Sequence, residues 1–381
     1  MLNSIFTTAM IQPTLSSTSA YFHSDYLTAR QAWLDKVSRC ENVWDRWLGT
    51  SVKSGSVPHP LTGPSTEALG SDWLWLGDPD ANTVGIFFSA THGIEGYVGS
   101  AVQVFCLDFL LSRLAKPNQD VALLFIHALN PWGMAYKRRC DEQGIDLNRN
   151  YVDFTAPPTN TGYPLVQAAL AIADRSQRQA ALQALAESLG KTDYEIALSG
   201  GQYSDPTGPF YGGKSQAHGQ RVCRTMLSDF ALAGKQLVII DIHSGLGSWG
   251  HGELISDHPL DDAHDRFARR LFGNGVTNPA RGDSSSVAKY GLQDYFWHQQ
   301  MAEKGCYLTL EYGSYSTDAL FDVLVNDHRV WRPNANNAAI ETQQQAMMQH
   351  FCPEDMYWRQ SVLFQAAQVM DRLLTGLNQG L

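Results

Sequence analysis

Four nearly unbroken apolar stretches, each running into polar residues, constrain this chain more than any other feature. They are Thr83 to Ala90 (TVGIFFSA), Val121 to Leu129 (VALLFIHAL), Gln236 to Ile242 (QLVIIDI) and Cys306 to Leu310 (CYLTL). Each has the length of a strand and lacks the in–out alternation of a half-exposed one. Strands of that kind are covered on both faces, which happens when helices pack on either side of a mostly parallel sheet. Helix-length segments lie between the runs; Tyr97 to Leu114 (YVGSAVQVFCLDFLLSRL) is one. The expectation is an α/β protein with three layers, α/β/α, around a mixed, mostly parallel central sheet.

Outside those runs the chain divides simply. Residues 23 to 48 pattern as an amphipathic leading helix, and residues 49 to 70 are rich in Gly, Pro, Ser and Thr, which reads as loop. Residues 1–70 are therefore expected to be an N-terminal helix and loop extension, and residues 71–381 one catalytic domain. Within it, about 155–215 reads as a helical and loop insertion. Leu182, Leu185 and Leu189 fall at helical spacing with Gly190 placed to end the helix. The following Gly200 to Gly213 (GGQYSDPTGPFYGG) reads as an irregular loop. Such a unit either lids a cleft or packs without a catalytic role. A last helix is expected from about Tyr357 to Leu377.

Charge and cysteine usage narrow the function classes. A formal net charge of −10 argues against nucleic acid or an anionic membrane as partner, since both require a basic footprint. The six cysteines (Cys40, Cys106, Cys140, Cys223, Cys306, Cys352) form no CxxC pair, so buried free thiols are expected rather than a disulfide frame. The first basic residue is Arg30 and residues 5 to 20 are interrupted by polar groups, so no signal peptide and a cytoplasmic location are expected.

Polar groups suited to hydrolytic chemistry gather where the apolar runs end, the place where α/β sheets bind ligands. SATHGIEG places His92 and Glu95 three residues apart after the first run. An imidazole and a carboxylate at that spacing can reach one cation, though HxxE alone also arises by chance. After the second run come Asn130-Pro131, Gly133, Arg138, Arg139 and then Asp146-Leu147-Asn148-Arg149-Asn150. Arginines there suit carboxylate recognition or an oxyanion; the plainer reading is a solvated loop. His243 tips the third run, where a lone histidine is more often structural than ligating. Glu311 ends the fourth, and a buried carboxylate without a partner would be costly.

HGIEG, NPWG…RRC…DLNRN, DIHSG and LEYG, in that order from about Thr83 to Tyr315, resemble the zinc carboxypeptidase (carboxypeptidase A-like) superfamily. That superfamily includes cytosolic carboxypeptidases and the succinylglutamate desuccinylase/aspartoacylase deacylases. The resemblance implies one zinc per chain, held by His92, Glu95 and His243, with an open position for water. It implies Glu311 as general base and acid and Arg139, with Arg138 as the less favoured neighbour, polarising the carbonyl. Asn148 and Arg149 would grip a free carboxylate, and Asp146 would orient His92. The family's capping tyrosine has Tyr290 as candidate, without a fixed register. The implied activity is hydrolysis of an amide beside a free carboxylate. Its substrate would be a small peptide or an N-acyl amino acid, so metallocarboxypeptidase and deacylase versions both stand. A non-catalytic zinc-binding protein is the third reading. His127, His251, His258, His264 and His298 are read as structural or surface residues, with His251 and His258 within possible reach of the site.

Overall fold

The computed structural model describes residues 18–48, 51–113, 120–331 and 336–378. The leader expectation at residues 5 to 17, like Leu114 at the end of the first core helix, lies outside the described residues.

The four apolar runs form the centre of one eight-stranded sheet. Its strands are β1 (Val52–Thr62), β2 (Ala68–Leu76), β3 (Thr83–Ser89), β4 (Val121–His127), β5 (Gln236–Ser244), β6 (Gly252–Ile255), β7 (Val276–Thr277) and β8 (Cys306–Tyr312). Their order across the sheet is β1-β2-β4-β3-β5-β8-β6-β7. The central four, β4-β3-β5-β8, are mutually parallel, while β2 joins β4 and β6 joins β8 antiparallel. Why the runs are apolar throughout is visible in their packing. Phe87, Leu123, Phe125, Val238, Ile240 and Leu308 enter one core. Their chain neighbours Ile86, Phe88, Leu124, Ile126, Leu237, Ile239 and Tyr307 enter a second core on the opposite face. Successive side chains point to opposite faces, so a strand buried on both has no polar half.

Helices supply the outer layers. The expected helix after β3 runs Gly96–Arg113. The stretch Gly93–Ser112 is long and apolar enough to cross a membrane, but 89% of it is buried inside this protein, where it packs on the sheet. The leading helix spans Tyr26–Cys40, capped by Asp25 accepting from the Thr28 N–H. The last runs Met356–Asn378. The insertion carries Tyr163–Leu170, Arg175–Leu189 and Lys191–Ser199, with Gly190 at φ 81° ending the second of these. All six cysteines are free and buried.

One expectation fails. The described part of 49–70 is mostly strand: β1 and the start of β2 form an antiparallel pair there, with Val52 opposite Leu76 and Pro58 opposite Gly70. Proline and glycine suggested a loop because they interrupt central strands. Strand β1 lies at the sheet's edge, where a missing N–H costs nothing, and its register shifts between Pro58 and Thr62.

Candidate metal centre

Parallel pairing sets the site. β5 and β8 are in register with His243 opposite Glu311, and β3 ends one strand over, with Ser89 opposite Ile242. The chain leaves β3 and β4 through Ala90 and Ala128, both left-handed at φ 57°. The two residues after Ala128 are tied back across the gap, Leu129 N–H to Ser89 O (2.9 Å) and Asn130 N–H to Ala90 O (2.9 Å). Non-glycine residues in that region carry strain that the surrounding structure must hold. It turns the chain sharply, so that His92 and Glu95 face the tip of β5.

The short turn Gly93–Glu95 is fixed to the second arginine-bearing loop by Gly93 N–H to Arg139 O (3.0 Å) and Ile94 N–H to Arg138 O (2.8 Å). Gly93 touches Gly133 so closely that a Cβ would fall 2.1 Å from the Gly133 carbonyl carbon. Glycine is required there by space.

At the centre, His92 Nδ1 and His243 Nδ1 are 3.1 Å apart. Glu95 stands against both, Oε1 at 3.0 Å from His92 Nδ1 and Oε2 at 3.0 Å from His243 Nδ1. All three residues are buried. Their outer nitrogens are taken: His92 Nε2 meets Asp146 Oδ1 at 3.1 Å, and His243 Nε2 meets Asp241 Oδ2 at 2.8 Å. Asp241 at His243 Nε2 favours a proton there, while His92 Nε2 is shared between Asp146 and the Arg139 guanidinium, whose Nη2 stands 2.8 Å away. With both Nδ1 atoms unprotonated, they and the Glu95 carboxylate would repel unless a cation lay among them. The donor set, two imidazoles and one carboxylate, is that of a hydrolytic zinc.

Asp241 carries a further load, accepting from Thr91 Oγ1 (2.8 Å) and Tyr307 OH (2.6 Å). Burial opposes the charge of Asp146, yet Arg139 and His92 hold its carboxyl well below the usual range. Burial likewise opposes charge on His243, while Asp241 and Glu95 together raise it well above an ordinary histidine. Removal of that proton is what a metal at Nδ1 requires.

Glu311 is buried and accepts from the Leu246 N–H (3.1 Å). Burial, then the nearby Glu95 charge, push its carboxyl up to about 8. It lines one cavity with His92, Glu95 and His243. Arg139, Asn148 and Arg149 line the same cavity, so the sequence-read residues from four strand ends come together. Arg139 is tied down, Nη1 to Glu95 Oε1 (2.9 Å) and Nε to Asp146 Oδ2 (3.0 Å). Arg149 has no carboxylate in contact among the described residues. Its guanidinium donates to Ser199 O (2.7 and 3.1 Å) and Asn148 O (2.7 Å), all neutral. Burial lowers its pKa accordingly. Asn148 Oδ1 accepts from the Gln293 N–H (2.8 Å), leaving its amide N–H groups as what it can offer a ligand.

Other candidates lie elsewhere. Arg138 turns away to Asp327 (3.0 Å) and the Trp331 ring. Tyr290 is 38% exposed and is not among the cavity residues. His251 is exposed, and His258 accepts from the Tyr307 N–H at 3.1 Å; neither lines the cavity. His258, Asp294 and His298 form a second cluster of possible ligands. Its two histidine rings lie nearly flat on one another, centroids 3.4 Å apart at 19°.

Sequence reasoning missed several residues of the site: Glu195, Ser199, Phe210 and Lys289 in the cavity wall, and Asp241 behind His243. Phe210 sits between two cations, its ring 5.5 Å from the Arg139 guanidinium carbon and 5.6 Å from that of Arg149. It does so from a left-handed backbone, φ 57°. Glu195 and Ser199 come from the insertion, which therefore forms part of the cavity wall. Asp241 alone had a local signal, a carboxylate two residues before a strand-end histidine and hence on the same side of the strand.

Comparison with solved structures places the fold. Bovine thrombin-activatable fibrinolysis inhibitor, in complex with tick carboxypeptidase inhibitor, superposes with a TM-score of 0.50 at 10% identity, covering 94% of this chain and 98% of that one. Carboxypeptidase A from Helicoverpa armigera aligns at 13% identity over 94% of this chain and 80% of its own, TM-score 0.46. A putative succinylglutamate desuccinylase/aspartoacylase family protein from Shewanella amazonensis SB2B aligns at 15% identity over 79% and 71%, TM-score 0.36. No curated protein matches the sequence. A family model described as "Protein of unknown function (DUF2817)" matches residues 22–365.

Proposed function

We propose that this chain, which belongs to the DUF2817 family, is a zinc-dependent hydrolase of an amide bond adjacent to a free carboxylate. One observation carries the reading: two facing Nδ1 atoms and a carboxylate share one cavity with a buried glutamate and a buried guanidinium lacking a contacting carboxylate. His92, Glu95 and His243 would hold the zinc. When bound, it supplies a Lewis acid and lowers the pKa of a water toward neutrality.

The remaining steps belong to the chain's own residues. Asn148 and Arg149 hold the substrate's carboxylate, which fixes its amide beside Glu311. Glu311 takes the proton of the attacking water and passes it to the departing amine nitrogen. Arg139, whose Nε and Nη1 are committed to Asp146 and Glu95 and whose Nη2 lies 2.8 Å from His92 Nε2, presents its remaining N–H groups to the developing oxyanion. Asp146 and Asp241 keep the two imidazoles in one tautomer throughout.

Both a carboxypeptidase and an N-acyl-amino-acid deacylase use these groups. The cavity wall contributed by Glu195 and Ser199 of the insertion favours a small substrate, hence the deacylase version. The test common to both is kcat/KM for a matched acid and its carboxamide, on wild type and Arg149→Ala. Wild type should prefer the acid by about 100-fold, as a buried cation left unpaired costs about 3 kcal/mol. The variant should lose most of that preference. Equal cleavage of acid and amide by wild type would remove Arg149 as anchor and refute the reading.

A further inference from the structure

A cation that sequence reasoning passed over stands in the cavity wall. Lys289 lines the cavity together with Arg149 and Glu311, whereas its neighbour Tyr290, the expected capping residue, points elsewhere. Its placement is rigid. The Lys289 carbonyl accepts from Tyr295 OH (3.1 Å), and the Tyr290 N–H donates to Gly200 O (2.7 Å). The preceding serines are fastened by buried Glu253, which accepts from Ser284 Oγ (2.9 Å), the Ser285 N–H (3.1 Å), Ser285 Oγ (2.5 Å) and Thr277 Oγ1 (2.6 Å).

The ammonium uses two of its three donors. Lys289 Nζ donates to Ser286 Oγ and to Val287 O (2.8 Å), both neutral acceptors. Among the described residues no carboxylate forms an ion pair with it. An ammonium has three donors, so one remains for a ligand. A half-buried ammonium hydrogen-bonded only to neutral groups on a pinned loop can take an anion.

We infer that Lys289 is a substrate-binding residue, the second cation on the substrate's carboxylate beside Arg149. The inference rests on the proposed function, because that function supplies the carboxylate. Arg149 gives a planar fork and Lys289 a point charge, so together they neutralise the carboxylate and fix its orientation. The groups facing Lys289 are Asp257, Arg149, Glu311, Arg139 and Glu195. Burial lowers Lys289 to about 8, against the opposing pull of Asp257, so the grip also weakens in mild alkali.

The experiment is calorimetric binding of 4-oxo-4-phenylbutanoate, the non-hydrolysable ketone isostere of N-benzoylglycine, and of its carboxamide to zinc-loaded protein. Wild type, Lys289→Met, Lys289→Arg and Arg149→Met are compared from pH 6.5 to 9.5. Lys289→Met should weaken the acid about 10-fold or more and leave the amide unchanged. Lys289→Arg should stay within about threefold of wild type and keep its affinity to higher pH, an outcome that a purely structural role would not produce. If Lys289→Met binds the acid like wild type while Arg149→Met does not, this inference fails and the proposed function stands. If wild type binds acid no better than amide, both fail.

Discussion

Each proposed ligand depends on a residue behind it, and that dependence can be measured one side chain at a time. Asp241 touches His243 Nε2 and is itself held by Thr91 and Tyr307. Asp241→Asn keeps the shape but removes the charge that fixes the tautomer. Zinc affinity should drop by about 10- to 100-fold, read by competition with a chelator, and an unchanged affinity would contradict the assignment. Glu311→Gln should cost several orders of magnitude in turnover at unchanged fold, since only proton transfer is lost. That His92, Glu95, His243 and Glu311 gather at one cavity was legible in sequence, because each follows or ends a recognisable apolar run; the roles proposed for them came from the resemblance. Lys289, Phe210, Glu195 and Ser199 were not. They sit on irregular loops and on a helix of the insertion, whose approach to the cavity is decided by tertiary packing that no local pattern encodes.

Elements bring these residues together through close backbone contacts. The turn at Gly93 rests directly on Gly133, with no room for a methyl group. Gly93→Ala must separate the turn bearing His92 and Glu95 from the loop bearing Arg139. A loss of about 1–3 kcal/mol in stability is expected, with weakened metal binding, from chemical denaturation and zinc titration together. Wild-type behaviour in both would mean the contact is not structural. The central strands and the long helices were readable at this scale, because burial on both faces leaves an unmistakable composition. The β1–β2 pair was not, since an edge strand tolerates Pro58 and Pro60 and so resembles a loop.

At the scale of the whole molecule, buried neutral histidines tie stability to pH. Burial lowers His127 and His218 to about 4 and His328 to about 3. Folded-state values below the unfolded value of about 6.5 mean that their contribution is complete above pH 6.5 and is lost as pH falls toward 4. His127, fully buried against Trp33 and Ser100, accounts for on the order of 3 kcal/mol of that loss. Thermal melts should show Tm falling through this window, with a shallower fall in His127→Asn; equal slopes would contradict it. The acid limb also bounds where activity can be assayed without unfolding. The three-layer plan was legible at this scale from the order of strands and helices alone, whereas the way the insertion closes on the cavity was not. The central claim concerns the metal, and metal content is its most direct test. After zinc loading and gel filtration, wild type and Glu311→Gln should each retain about one zinc per chain, while His243→Ala and Glu95→Gln should lose most of it. Full zinc occupancy in His243→Ala, or an equal loss in Glu311→Gln, would contradict the account.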